Sequence, residues 1–448
     1  MHTLDQLRTG QLAGLQRLDL ACGLTEFPTE IFSLADSLEV LNLSGNALSA
    51  LPADLPRLRK LRVLFCSDNQ FTAVPEVLGQ CPRLSMVGFK ANRLHSLPAA
   101  ALPPALRWLI LTDNQLRSLP AALGACAELQ KLMLAGNQLR SLPETLAACT
   151  RLELLRIADN QLPELPAWLL TLPRLAWLAY AGNPFSEPAE AAALAENTAR
   201  PIAWPHLTVQ RKLGEGASGV IYQARWQRPA GPPLPVAVKL FKGTRTSDGL
   251  PGSEMVACLS AGAHPHLIGV EGKISYHPAG TAGLVLHLVA PAFRDLGGPP
   301  SLATCTRDVY APGTSFSLEV VLRIARGIAS AARHLHTRGL MHGDLYAHNI
   351  LATEAGACLL GDFGAACFFA LNEPETARAL QRLEVRAFAC LLEDLLVHCA
   401  APAASLGTVR ALHALQRQCA QPTVGSRPLF AEIEQILEEV AAGISQVS

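Results

Sequence analysis

Five polar residues in the second half of the chain, Lys239, Glu254, Asp344, Asn349 and Asp362, are of types that handle phosphate and metal. A glycine run precedes them, Gly214-Glu215-Gly216-Ala217-Ser218-Gly219-Val220, in a G-x-G-x-x-G-x-V pattern. Glycines let a backbone approach phosphate oxygens and donate N–H groups to them. Alone the pattern is weak, because it also opens dinucleotide-binding units. Lys239 ends the apolar run Val236-Ala237-Val238, the next strand-like run but one after Gly219, and Glu254 follows it. A lone strand lysine ordinarily snorkels to solvent. One held in a cleft by a carboxylate is poised for the α- and β-phosphate oxygens of a nucleotide. Asp344 and Asn349 are five residues apart in His342-Gly343-Asp344-Leu345-Tyr346-Ala347-His348-Asn349. That spacing lets a carboxylate face an attacking hydroxyl while the amide oxygen holds a metal. Asp362-Phe363-Gly364, after Leu359-Leu360, offers a second metal-binding carboxylate.

These side chains need elements to carry them. Leu207 to Lys212 reads as a strand and Ile221 to Ala224 as its hairpin partner. A Pro/Gly-rich hairpin at 229–235 leads into the strand that ends at Lys239, and Glu254 falls in a helix. Ile350-Leu351 and Leu359-Leu360 read as short strands, and Gly425-Ser426-Arg427-Pro428 opens a last helix over 428–441. In this order the motifs resemble the protein kinase family over roughly 207–440, nearest to tyrosine-kinase-like and interleukin-receptor-kinase-like serine/threonine kinases. His264-Pro265-His266-Leu267-Ile268 is similar to the segment that follows the first kinase helix.

The resemblance implies an α+β two-lobed fold, ATP and Mg²⁺ as cofactors, and transfer of the γ-phosphoryl group to Ser/Thr hydroxyls of proteins. It implies that Gly214, Gly216 and Gly219 cover the phosphates, with Leu213, Glu215, Ala217, Ser218 and Ile221 completing that nucleotide-binding turn. Lys239 would pair with Glu254 and orient ATP, Asp344 would take the hydroxyl proton, and Asn349 and Asp362 would hold Mg²⁺. Adenine would lie between Val220, Ala237 and Leu351, with the hinge near His287 to Ala290.

The chain also departs from the family. Gly343 stands where an Arg usually pairs with a phosphate on the activation segment. The stretch from Gly364 to Glu384 is short, with Glu384 aligned to the acidic anchor of the following long helix. Glu373-Pro374-Glu375 is the nearest substitute for Ala-Pro-Glu; if Glu375 fills that role, Arg427 is its expected ion-pair partner. Tyr346 occupies a position that is usually Lys in serine/threonine kinases and Ala in tyrosine kinases. His-Gly-Asp with Asn five residues on also occurs in aminoglycoside-type phosphotransferases. Two other readings therefore stand beside a protein kinase: a catalytically weak nucleotide-binding scaffold and a small-molecule phosphotransferase.

The first two-fifths of the chain is a repeat. Leu15, Leu38, Leu61, Leu84, Leu106, Leu129, Leu152 and Leu175 each open the same pattern. Its period of about 23 residues is that of a solenoid coil. Apolar residues follow at +3 and +5, and Asn46, Asn69, Asn92, Asn114, Asn137, Asn160 and Asn183 stand at +8. The alternation is a short strand with one buried face, and the Asn can hydrogen-bond the backbone of the adjacent coil. No single unit buries its own leucines, so stacking is obligatory. The pattern resembles the leucine-rich repeat family, an α/β solenoid, and the two parts together resemble bacterial leucine-rich repeat kinases. Residues 1–187 are expected to form the repeat domain, 188–204 a capping helix and linker, and 205–448 the kinase domain. The outward strand face takes the residues at +2, +4 and +6 from each opening Leu, the +2 column ending at Trp177, and on it Phe65, Met86, Trp108, Ile110 and Met133 form an apolar cluster that points to a protein partner, substrate or regulator.

Composition narrows the rest. In the 448 residues, 37 Lys+Arg balance 37 Asp+Glu, so no long-range field recruits nucleic acid or an anionic membrane. At 50% hydrophobic and 17% charged, the chain is not broadly disordered. No apolar run reaches ~18 residues, and the start lacks a basic-then-apolar leader. The 12 cysteines form no C-x-x-C pair, which predicts free thiols in a reducing compartment, the cytoplasm, and no clustered Cys/His metal site.

Overall fold

The computed structural model describes residues 2–196, 200–216, 218–243, 245–246, 248–402 and 405–445. It divides into two compact units, Met1–Leu175 with Asn183–Phe185, and Ala176–Gly182 with Ser186–Ser448.

The first unit opens with a one-turn helix, α1 (Leu4–Arg8), closed by a Thr3–Gln6 capping box. Seven three-residue strands follow: β1 (Arg17–Asp19), β2 (Val40–Asn42), β3 (Val63–Phe65), β4 (Met86–Gly88), β5 (Trp108–Ile110), β6 (Lys131–Met133) and β7 (Leu154–Arg156). They pair parallel and in step, so Leu18, Leu41, Leu64, Val87, Leu109, Leu132 and Leu155 lie side by side and buried. Most return paths are 3-10 turns that begin after a proline, as at Pro75, Pro120 and Pro143, whose φ is already fixed near the required value. The asparagines do what their spacing predicts. Asn137 Oδ1 accepts from Leu116 N–H at 3.0 Å, and its Nδ2 donates to the Leu111 and Leu134 carbonyls, each at 2.9 Å. Asn69, Asn92, Asn114, Asn160 and Asn183 repeat the arrangement one coil at a time.

The apolar cluster on the outward face is smaller than the sequence predicts. Phe65, Trp108 and Ile110 are half-buried, but Met86 and Met133 are buried. Side chains on one sheet face pack sideways against their register neighbours. Met86 stands in register between Val63 and Trp108, and Met133 beside Ile110 and Arg156. Phe65 leans across Gly88, where a Cβ would meet its Cδ1 at 2.6 Å, and meets Trp108 edge-on at 6.3 Å. Lys131 Nζ lies 4.3 Å from the Trp108 ring centroid.

The second unit begins with β8 (Trp177–Ala179) and α2 (Glu187–Glu196). Expected at 188–198 as the cap of the repeats, α2 belongs to the second unit, where it packs on α3 (Pro251–Ala261). Residues 197 and 198 lie outside the described residues. Likewise 176–182, expected within the repeat domain, belong to the second unit. A six-stranded sheet runs in the order β10 (Leu207–Glu215), β11 (Gly219–Trp226), β12 (Leu234–Phe241), β14 (Gly283–His287), β13 (Val270–Ser275), β9 (Pro201–Ala203). Its buried face gathers Ile202, Leu207, Ala224, Trp226, Val236, Val238, Ile274 and Val285. The remainder is helical, with α4 (Leu318–Thr337), α5 (Pro374–Val397), α6 (Leu406–Cys419) and α7 (Phe430–Ser445). Two short pairings carry the loops between them: Ile350–Ala352 with Cys358–Leu360, and Leu340–Met341 with Cys367–Phe368. All 12 cysteines are free thiols and nine are buried, as small hydrophobes.

Candidate functional site

The glycine run is the turn of the β10–β11 hairpin. Gly214 pairs with Ile221 and Glu215 with Val220, and Gly216 N–H closes the turn on the Gly219 carbonyl at 2.9 Å. Ala217 lies outside the described residues. A Cβ added to Gly214 or Gly216 meets nothing within 4 Å, so the hairpin overhangs open space. At Gly219 a Cβ would collide with the Leu240 carbonyl at 2.5 Å, so only glycine allows β11 that close to β12. Leu213 is exposed at the lip, Ser218 and Val220 are half-buried, and Glu215 bonds Lys212 and Lys242.

Lys239 stands in the centre of the sheet, in register with Ile221 on one side and Leu284 on the other. Its ammonium pairs with the Glu254 carboxylate on α3, and both side chains are buried. Burial pulls the Lys239 ammonium down, but Glu254 and Asp362 beside it outweigh that and hold it above its ordinary value. Burial, helped by Asp362, lifts the Glu254 carboxyl against the attraction of Lys239. Both carboxylates thus act electrostatically on one lysine, which Glu254 pairs directly, although Glu254 and Asp362 lie far apart along the chain.

The second cluster lies on the loop after Leu340–Met341. His342 is fully buried and its Nε2 is 2.8 Å from the Gly361 carbonyl, which ties the loop to the strand end before Asp362. Asn349 Nδ2 donates to both the Asp344 carbonyl (2.9 Å) and Asp344 Oδ2 (2.8 Å), so the two predicted residues are locked together. Asp362 adopts φ +53°, a left-handed conformation uncommon for a non-glycine residue, and its Oδ1 accepts from Gly364 N–H at 3.1 Å. His348 feels both Asp344 and Asp362, which joins the two clusters into one electrostatic neighbourhood. Ala237 is buried opposite Leu286, and Leu351 is half-buried opposite Leu359.

Several positioning residues escape the sequence reading. Asp308 Oδ2 accepts from Ala347 N–H at 2.6 Å and His348 N–H at 3.3 Å, while its Oδ1 lies 2.7 Å from His348 Nδ1. No spacing signal marks it, because it reaches its partners 40 residues away. Glu384 anchors as its alignment predicts: Oε1 accepts from Gly343 N–H at 2.7 Å, and Oε2 lies 2.7 Å from His336 Nε2. The Arg427–Glu375 pair predicted from sequence is replaced. Glu375 is exposed in the first turn of α5, whereas the buried Arg427 donates to the Gln421 and Arg382 carbonyls. Burial and the nearby Arg386 bring its guanidinium down to about 10.

Gly343 has a geometric cause. Its φ is +72°, and a Cβ there would sit 2.4 Å from the Ala365 carbonyl and 2.8 Å from the Leu178 carbonyl. No side chain, arginine included, fits that backbone.

Residues 207–391 match the family described as protein tyrosine and serine/threonine kinase, and residues 37–58 match Leucine Rich Repeat. The chain is similar to serine/threonine-protein kinase mos of Xenopus laevis, 27% identical over 180 residues, 39% of this chain and 45% of that protein. It is also similar to non-receptor tyrosine-protein kinase TNK1 of Homo sapiens, 30% identical over 159 residues, 34% of this chain and 22% of that protein. A probable serine/threonine-protein kinase, gdt4 of Dictyostelium discoideum, is 28% identical over 168 residues, 36% of this chain and 9% of that protein. The chain spans less than half the length of each of these relatives. A leucine-rich repeat region of parallel strands is thus followed by a two-lobed protein-kinase domain. Among the described residues no helix is long and apolar enough to cross a membrane.

Proposed function

We propose that the protein is an ATP- and Mg²⁺-dependent protein kinase that phosphorylates Ser/Thr hydroxyls, and that its repeats recognise the protein substrate or a regulator. The observation that carries this reading is the buried Lys239–Glu254 pair, with Asp362 brought up to Glu254 beside Gly364 and Asp344 locked by Asn349. The donors fit the nucleotide and metal. Gly214 and Gly216 leave open space under the hairpin, and the carboxylate of Asp362 with the amide oxygen of Asn349 is an oxygen-only set of the kind Mg²⁺ takes. Among the described residues no three His, Cys, Asp or Glu side chains cluster around one point, so most of the metal's ligands would be nucleotide oxygens and water. When bound, Mg²⁺ neutralises charge across the phosphates.

The protein's own groups do the rest. The hairpin N–H groups and Lys239 hold the phosphates, and Glu254 keeps the lysine pointed into the cleft. Asp344 accepts the proton of the attacking hydroxyl as that hydroxyl's oxygen bonds the γ-phosphorus, while the bond from the phosphorus to the bridging oxygen breaks and ADP leaves. Asn349 fixes the rotamer of Asp344 through its Nδ2 contact. Serine/threonine preference is supported by mos and gdt4, and Tyr346 leaves the position that usually separates the classes uncommitted. Phe65, Trp108 and Ile110 give the repeats a partly exposed apolar face suited to a protein partner. A cytoplasmic setting is supported by the free thiols.

Radiolabelled ATP with generic protein substrates tests the proposal. Asp344→Asn is expected to retain nucleotide binding and to lose on the order of 10²- to 10⁴-fold in transfer. Unchanged transfer removes Asp344 as the base. Nucleotide binding without any transfer by the wild type would leave the scaffold reading, and transfer to aminoglycosides but not proteins would leave the small-molecule one.

A further inference from the structure

Trp177 lies in the outward column of the eighth repeat pattern, yet in the structure it belongs to the second unit and is 1% exposed. Its indole Nε1–H donates to the Leu345 carbonyl at 3.1 Å. Its ring stacks on Tyr346 with centroids 4.2 Å apart and planes tilted by 6°. Tyr346 in turn meets the His348 ring at 4.9 Å, and His348 is held by Asp308. The next residue, Leu178, sets its carbonyl against Gly343. Tyr180 then bonds the strand after Asp362 twice: its hydroxyl donates to the Phe368 carbonyl at 3.1 Å, and its N–H points at Cys367 Sγ at 3.0 Å. The segment Ala176–Gly182 therefore lies on Gly343, Leu345 and Tyr346, on both sides of Asp344, and on Cys367–Phe368.

We propose that Trp177 is a positioning residue for the phosphoryl-transfer site, which clamps Leu345–Tyr346 and so fixes the placement of Asp344 and Asn349. The inference rests on the kinase reading above. The loop from Asp344 to Asn349 is held from within by a 3-10 turn at Ala347–Asn349 and by the Asn349–Asp344 contacts, and what packs on it from outside sets where that unit sits. Two restraints of different kind meet there. A buried indole N–H requires an acceptor and takes the Leu345 carbonyl, and an aromatic stack restricts the ring of Tyr346. Asp308 grips the other end of the same loop through Ala347 and His348. Trp177 contacts neither the reacting oxygen nor the nucleotide-binding hairpin in the contacts described, so its effect passes through the loop backbone. A misplacement of about 1 Å at a reacting group costs on the order of 10²-fold in rate, which is the scale at stake.

The test compares the full-length wild type with Trp177→Phe, which keeps a stacking ring and removes the donor, and Trp177→Ala, which removes both. Trp177→Ala is expected to lower kcat on the order of 10- to 100-fold, with KM for ATP within about two-fold, and Trp177→Phe to lose less. Amide exchange read by mass spectrometry should accelerate over 344–349 in Trp177→Ala and not over the β10–β11 hairpin. A kcat within about two-fold of wild type in Trp177→Ala, or exchange that accelerates equally across the whole second unit, overturns the proposal. Should the alanine variant not fold, the phenylalanine variant decides: unchanged kcat and unchanged exchange over 344–349 overturn it, and a loss in both supports it. If the wild type transfers no phosphate at all, the kinase reading has failed, and the exchange arm still reports whether Trp177 holds the loop.

Discussion

Replacing Glu384 should uncouple the long helix α5 from the loop that carries Asp344. Its carboxylate is 1% exposed and makes two short contacts, each 2.7 Å, to Gly343 N–H and His336 Nε2. Glu384→Ala leaves both groups buried without that acceptor, at about 1–3 kcal/mol each, and opens a cavity besides, so ~3–6 kcal/mol is expected. Glu384→Gln keeps an oxygen for Gly343, but it turns an NH2 donor toward His336 Nε2, which must then accept, and it loses the charge assistance, so about 1–3 kcal/mol is expected. Burial pushes this carboxyl up, but His336, His342 and Gly343 N–H outweigh it and hold it below its ordinary 4.5. A lowered folded-state value stabilises above the unfolded one, and that contribution is lost as pH falls through the folded one. The gap between wild type and Glu384→Gln should therefore be full near neutral pH and begin to close below about 4.5. Because the chain has two compact units, a single global transition is the wrong assay. Denaturant-dependent amide exchange over 340–352 reads the relevant unit directly. If Glu384→Ala exchanges there within about 0.5 kcal/mol of wild type, the buried carboxylate is not an anchor and the reasoning is refuted.

Further expectations concern the repeats and the acid limb of stability. Asn137→Ala removes one acceptor and two donor contacts in the buried ladder, and should destabilise the first unit by about 2–5 kcal/mol, read by exchange over 111–139. A loss under about 0.5 kcal/mol would show that the ladder is not stabilising. His264 is brought down to about 4 by burial, with His334 and His266 adding to it and Glu434 opposing. A lowered histidine favours the folded state above its unfolded value and weakens it as pH falls from about 6.5 toward about 4. His264→Gln should flatten that limb in the stability read by denaturant-dependent amide exchange over 318–337 from pH 7 to 5. Parallel curves for the two proteins would count against it.

Much of this was legible in the amino-acid sequence, because both its signals are local or periodic. The regular spacing of leucine and asparagine dictates a stacked coil, since one unit cannot bury its own face and the amide needs the neighbouring backbone. The hairpin glycines, the lysine in an apolar strand and the Asp344–Asn349 spacing are each fixed within a few residues, so type and distance along the chain suffice, although the strand expected to end at Lys239 runs on to Phe241. Contacts that join distant segments left no such trace. Asp308 lies 40 residues from His348 and Trp177 lies 168 from Leu345, and nothing in either local pattern announces the partner. Trp177 reads as one more residue of the outward column, and only tertiary packing buries it on the loop beside Asp344. Gly343 reads as a missing arginine, and only the Leu178 and Ala365 carbonyls reveal that no side chain fits there. Periodicity specifies which face a residue takes, whereas the identity of what covers that face is settled when the whole chain closes.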